Sequence, residues 1–137
     1  MPTERVLADF EGTWRIERDI IPAQGAPARF EGEGVWRWEG ADLAYAESGM
    51  LRVAGATPMR AERRYRWAAD MAVYFEDGRF FHNVPTTGGR AQHFCDPDTY
   101  VVDYDFARWP VFEVTWTVKG PRKAYRMTSL FTRRAAP

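Results

Sequence analysis

Thr13-Trp14-Arg15-Ile16-Glu17-Arg18-Asp19-Ile20-Ile21 alternates along its length: Trp14, Ile16, Arg18 and Ile20 fall on one side, Arg15, Glu17 and Asp19 on the other. Period two sends successive side chains to opposite faces, so the stretch reads as a strand with one face turned to a core and one to water. The same period runs through almost all of the chain that follows. Arg29 to Glu39 sets Phe30, Gly32, Gly34, Trp36 and Trp38 against charged neighbours, and Leu43, Tyr45, Glu47, Gly49, Leu51 and Val53 share the face of the next strand. Two glycines on the inward face of one strand point to a bend or a close backbone approach. Further alternation runs from Pro58 to Trp67, through Met71, Val73 and Phe75, and through Phe80, His82 and Val84, with Asp77-Gly78 as a tight hairpin turn. Arg90 to Cys95, Tyr100 to Phe106, Phe112 to Val118 and Tyr125 to Arg133 complete the series.

Upstream, Val6, Leu7 and Phe10 have helical spacing, with Thr3 as N-cap and Gly12 ending the element after one turn or two. Nine or ten short strands joined by hairpin-length turns leave a sandwich or a barrel, and the short connections favour up-and-down order. No linker, repeat or low-complexity tract interrupts the pattern, so residues 1–137 are expected to form a single domain.

Composition narrows the function classes. Apolar residues make up 45% and aromatics 15%, enough for a real core and suited to strands. Formal net charge is zero, which argues against a nucleic-acid footprint. Cys95 is the sole cysteine, so no internal disulfide can form; it reads as a buried thiol. No stretch approaches the ~18 apolar residues of a membrane span, and no signal-like segment follows Met1, so a cytoplasmic location is expected.

Phe10-Glu11-Gly12-Thr13-Trp14 resembles the opening of lipocalins and fatty-acid-binding proteins, where a short helical turn precedes a Gly-x-Trp on the first strand. In that calycin superfamily the Trp packs against an Arg of the last strand, which implies Trp14 and Arg133 (or Arg134) as barrel closure. His93-Phe94-Cys95-Asp96-Pro97-Asp98 and Lys119-Gly120-Pro121-Arg122-Lys123 are also similar to a small bacterial family of lipocalin-like domains with no assigned function. The implied fold is all-β: an antiparallel up-and-down barrel of about eight to ten strands with a short N-terminal helical turn. The Arg-x-Tyr carboxylate clamp of fatty-acid-binding proteins is absent, since Thr128 stands two residues after Arg126.

Phasing each strand by its apolar residues turns Arg18, Glu47, Arg63, Tyr65, His82, His93, Tyr100, Tyr104 and Tyr125 inward. Desolvated charges must pair, neutralise or meet a ligand. An internal Arg–Glu–Tyr network with ordered water is one solution. A cavity for a small hydrophobic or aromatic ligand with an anionic group is the other, lined by Glu47, Arg63, Tyr65, His82, His93, Tyr100 and Tyr104. Two histidines without clustered acids or cysteines fall short of a metal site, and the residues ask for no cofactor. Haem on one His is the cofactor the calycin resemblance raises. Tyr, Arg and Glu in a small barrel also resemble phenolic acid decarboxylases, with Glu47, Arg63, Tyr65 and Tyr104 in the implied roles of a cofactor-independent lyase or isomerase. A third option is a structural or partner-binding barrel with a filled interior. Trp36, Trp38, Trp67 and Trp116 read as core, Trp109-Pro110 as a rim feature, and an edge strand could pair two chains as a homodimer.

Overall fold

Alternation from Trp14 onward becomes ten antiparallel strands in the computed structural model, which describes residues 3–134. They are β1 (Gly12–Pro22), β2 (Ala28–Glu39), β3 (Asp42–Val53), β4 (Met59–Trp67), β5 (Ala72–Phe75), β6 (Phe80–Asn83), β7 (Gly89–Cys95), β8 (Asp98–Asp105), β9 (Phe112–Lys119) and β10 (Ala124–Arg133). Neighbours in sequence pair as hairpins, and β10 returns to β1, giving the order β6-β5-β4-β3-β2-β1-β10-β9-β8-β7. This is the expected up-and-down barrel, closed by hydrogen bonds everywhere except between β6 and β7. At that seam side chains replace the ladder: the Phe81 and His93 rings meet with centroids 5.4 Å apart. Among the described residues no helix is long and apolar enough to cross a membrane.

One end of the barrel is shut by aromatic rings. Phe10, Trp14, Trp36 and Phe112 are almost wholly buried there, and Phe112 stacks on Phe131 at 4.7 Å. Trp14 Nε1 donates to the Phe10 carbonyl at 2.9 Å, which ties the N-terminal turn to the first strand. Above it the Arg133 guanidinium lies 4.2 Å from the Trp14 ring and donates to the carbonyls of Asp9 and Glu11. A guanidinium on an indole face covers apolar surface while its N–H groups satisfy carbonyls that the turn leaves free.

Three local expectations need correction. The N-terminal element is a single 3-10 turn, Leu7–Phe10, capped at Val6 rather than Thr3; the Asp9 carboxylate accepts from the Val6 N–H. Trp38 is 47% exposed, because the last residues of β2 run beyond the aromatic plug. In β6 a register shift opposite Val73 and Tyr74 breaks the alternation. Phe80 turns outward, and both Phe81 and His82 are buried, as a bulge allows when two residues oppose one.

Candidate functional site

The polar centre of the barrel spans three strands. Register places Gly32 opposite Ile16 and Gly49, and Gly34 opposite Trp14 and Glu47. Arg18 of β1, opposite Phe30, reaches diagonally across β2 to Glu47 of β3, which lies opposite Gly34. Arg18 Nη2 lies 2.9 Å from Glu47 Oε2, and both residues are buried. Arg18 Nε also donates to Ser129 Oγ at 2.6 Å, and its guanidinium lies 5.1 Å from the Phe30 ring. The Arg18–Glu47 contact is close enough to be ionic but lacks hydrogen-bond alignment, so Glu47 Oε2 accepts no hydrogen bond. Gly34 serves Tyr45: a Cβ there would sit 2.9 Å from Tyr45 Cε1 and from its hydroxyl, so only glycine leaves room for that phenol.

Two small cavities flank the ion pair. The inner one, ≈ 50 Å³, is walled by Trp36, Tyr45, Tyr65, His82, Tyr104 and Trp116, with Arg18, Glu47 and Ser129 at its border. The outer one, ≈ 70 Å³, lies among Ile20, Phe30, Leu51, Ala61 and Arg63, again against Arg18 and Glu47. Three residues around the inner cavity carry a buried polar atom with no hydrogen-bond partner among the described residues: Trp36 Nε1, Glu47 Oε2 and His82 Nδ1. Their residues are 2%, 4% and 3% exposed, so bulk water does not serve them.

Burial keeps the cluster's phenols and imidazole uncharged. His82, desolvated and near His93, has its pKa pushed down to about 4, and its Nε2 shares a 2.8 Å hydrogen bond with Tyr104 Oη. Burial, with smaller help from Glu47, raises Tyr45; burial also raises Tyr65 and Tyr104. At neutral pH Tyr45, Tyr65, Tyr104 and His82 are therefore uncharged around the Arg18–Glu47 contact.

The seven residues expected to line a cavity separate into two groups. Glu47, Tyr65, His82 and Tyr104 surround the inner cavity. Arg63 is solvent-exposed towards the open end, its guanidinium 5.5 Å from the Trp116 ring. Tyr100 and His93 are half-buried near the seam, both in ring contact with Phe81, and Tyr100 also meets Trp116. Burial and the neighbouring Arg79 charge lower the His93 pKa. Trp36, Tyr45, Arg18 and Ser129 complete the site. Trp36 reads from sequence as filler, and only the lack of an acceptor for its indole N–H marks it as polar lining. Cys95 is half-buried rather than buried.

Among the described residues no group of three His, Cys, Asp or Glu is placed to hold a metal ion. The inner cavity is far smaller than a haem macrocycle, and His82 Nε2 beside it is engaged by Tyr104.

Residues 10–133 match a family of unknown function (DUF6314), and the chain belongs to that family. No curated protein matches it. Among solved structures, the S-type phycobiliprotein lyase CPES from Guillardia theta is similar over 96% of this chain and 92% of that one, with a TM-score of 0.65 and 10% identity. At that identity the likeness is one of fold: a lipocalin-like barrel.

Proposed function

We propose that the chain is a binding protein whose barrel holds a small hydrophobic or aromatic molecule carrying an anionic group. One observation carries the reading: Trp36 Nε1 and His82 Nδ1, buried and without a hydrogen-bond partner, belong to residues around a single cavity that the ion-paired Glu47 also borders. A buried polar group left unpaired costs about 1–3 kcal/mol, so an indole N–H and a ring nitrogen left open beside one cavity favour a polar guest there.

Arg63 supports the anionic part. Among the described residues no carboxylate lies within 4 Å of its guanidinium, although Glu47 faces it in register across β3 and β4. Its planar fork beside Trp116 offers a carboxylate two parallel donors on an aromatic wall. Tyr65, Tyr104 and His82 supply aromatic lining, with Tyr100 and His93 against Phe81 at the seam.

Native mass spectrometry against a panel of aromatic and aliphatic carboxylates tests this. The expected result is a one-to-one adduct with some members, weakened about tenfold in Arg63→Met, as loss of a charge-assisted contact implies. No adduct with any acid at millimolar concentration would refute the reading and leave a filled structural barrel.

A second reading, a cofactor-independent lyase of the phenolic acid decarboxylase type, draws on Glu47 alone. A buried carboxylate, ion-paired with Arg18 but accepting no hydrogen bond at Oε2 and near the phenols of Tyr45 and Tyr65, is placed to move a proton. Turnover of phenolic acids, lost in Glu47→Gln, would favour it over binding alone.

A further inference from the structure

We infer that the inner cavity is a subsite for an un-ionised hydroxyl group, carried by a small aromatic acid whose acid group stays outside at Arg63. The inference rests on the binding function proposed above and assigns the two ends of the ligand.

Hydrogen-bond inventory decides between head groups. Trp36 Nε1 can only donate, and Glu47 Oε2, as a carboxylate oxygen, can only accept. His82 Nδ1 does either. If the Tyr104 hydroxyl donates to Nε2, Nδ1 carries the ring proton; if Nε2–H donates to Tyr104, Nδ1 is a lone pair. A carboxylate in this space would accept from Trp36 but set a second anion against Glu47. The one cation at the cavity border, Arg18, is already engaged by Glu47 and Ser129. An ammonium would satisfy Glu47 and leave the indole N–H without an acceptor. A hydroxyl donates once and accepts twice, so it serves Glu47 and Trp36 together, with His82 adapting its tautomer.

Size points the same way. At ≈ 50 Å³ the cavity is well below the ~150 Å³ that holds a benzene ring, so it takes a head group and not a whole aromatic molecule. Trp116 lines this cavity and carries the Arg63 guanidinium over its ring. A ring lying along Trp116 would direct its hydroxyl inward and its acid group to Arg63.

Tryptophan fluorescence titrations with 4-hydroxybenzoate, 4-methoxybenzoate and terephthalate test this. The three share the acid group and ring and differ in the opposite end: donor and acceptor, acceptor only, or a second anion. The hydroxy compound is expected to bind about tenfold or more tighter than the methoxy compound, with terephthalate weakest. Trp36→Phe, which keeps the aromatic fill, should remove most of the hydroxyl preference. Glu47→Gln, if circular dichroism shows it folded, should raise terephthalate relative to 4-hydroxybenzoate, because Arg18 is then free to meet an anion. Equal affinities for the three, or terephthalate leading in the wild-type protein, would overturn the inference. Binding of other acids but none of these three would also overturn it. Failure of every acid in the native-mass panel would instead overturn the binding function beneath it.

Discussion

Arg18→Met leaves the Glu47 carboxylate in the barrel centre without the guanidinium that lies 2.9 Å away. Arg18 is 7% exposed and Glu47 4%, so water cannot take over the solvation of the orphaned charge. Removing one partner of such a buried pair costs about 3–5 kcal/mol, mostly the penalty of the charge left behind. At about 2.1 cal/mol/K per residue, the unfolding entropy of this 137-residue chain is about 0.29 kcal/mol/K, so Tm should fall by about 10–17 °C. Glu47→Leu should be damaging for the mirror-image reason, with Arg18 retaining Ser129 and the Phe30 ring but no counter-charge. The double variant Arg18→Met/Glu47→Leu buries no charge and should recover most of the loss, giving a coupling of several kcal/mol in the cycle. Thermal and urea unfolding followed by near-ultraviolet circular dichroism provide the four stabilities. Single variants that each cost less than about 1 kcal/mol and add in the double would refute the reasoning. That result would mean the pair is wet, and that no dry polar centre exists for a ligand to complete.

Three other perturbations follow from the same geometry. His82 stays neutral when folded, with its pKa near 4 against an ordinary value of 6.5. Above pH 6.5 neither state binds the proton. Between 6.5 and 4 the unfolded chain binds it and the folded protein does not, so stability should fall by about 3 kcal/mol across that window and the slope should end below it. Urea midpoints from pH 4 to 8 measure this, and His82→Gln should flatten the His82 part of the limb. Gly34→Ala sets a methyl group 2.9 Å from Tyr45 Cε1 and its hydroxyl, an overpacking expected to cost about 1–3 kcal/mol in urea unfolding. Arg133→Ala removes the cover from Trp14 and the donors to Asp9 and Glu11, and should cost about 1–3 kcal/mol; Arg133→Lys should restore only part, because an ammonium lacks the planar fork.

The barrel was legible because one physical rule, alternation, governs strands such as Thr13–Ile21 from end to end, and hairpin turns such as Asp77-Gly78 leave few topologies. What alternation misses is any place where the ladder loses step. The shift opposite Val73 and Tyr74 turns Phe80 outward and buries Phe81 beside His82, and nothing in the residue types marks that bulge. Trp38 obeys the period but stands beyond the plug, since strand length relative to the barrel is not encoded in the pattern. Thr3 has capping chemistry, but the turn is too short and begins too late to use it. In the site, Glu47 and Arg63 face each other in register across β3 and β4, the pairing a sheet makes natural. The structure instead joins Glu47 to Arg18, two strands away, on a diagonal across β2. The residues were visible in the sequence; the diagonal reach was not. Trp36 was equally hidden, since its polar role lies in an N–H that finds no acceptor.

The most direct measurement is the indole N–H spectrum of ¹⁵N-labelled protein, with the Trp36 and Trp38 resonances assigned by Trp36→Phe and Trp38→Phe, during titration with an acid that gives a one-to-one adduct. A ligand inside the barrel should move the Trp36 signal strongly downfield, as its N–H gains an acceptor, while exposed Trp38 stays in place. A bound ligand that leaves Trp36 unmoved and shifts Trp38 would contradict the account and place binding on the outer surface.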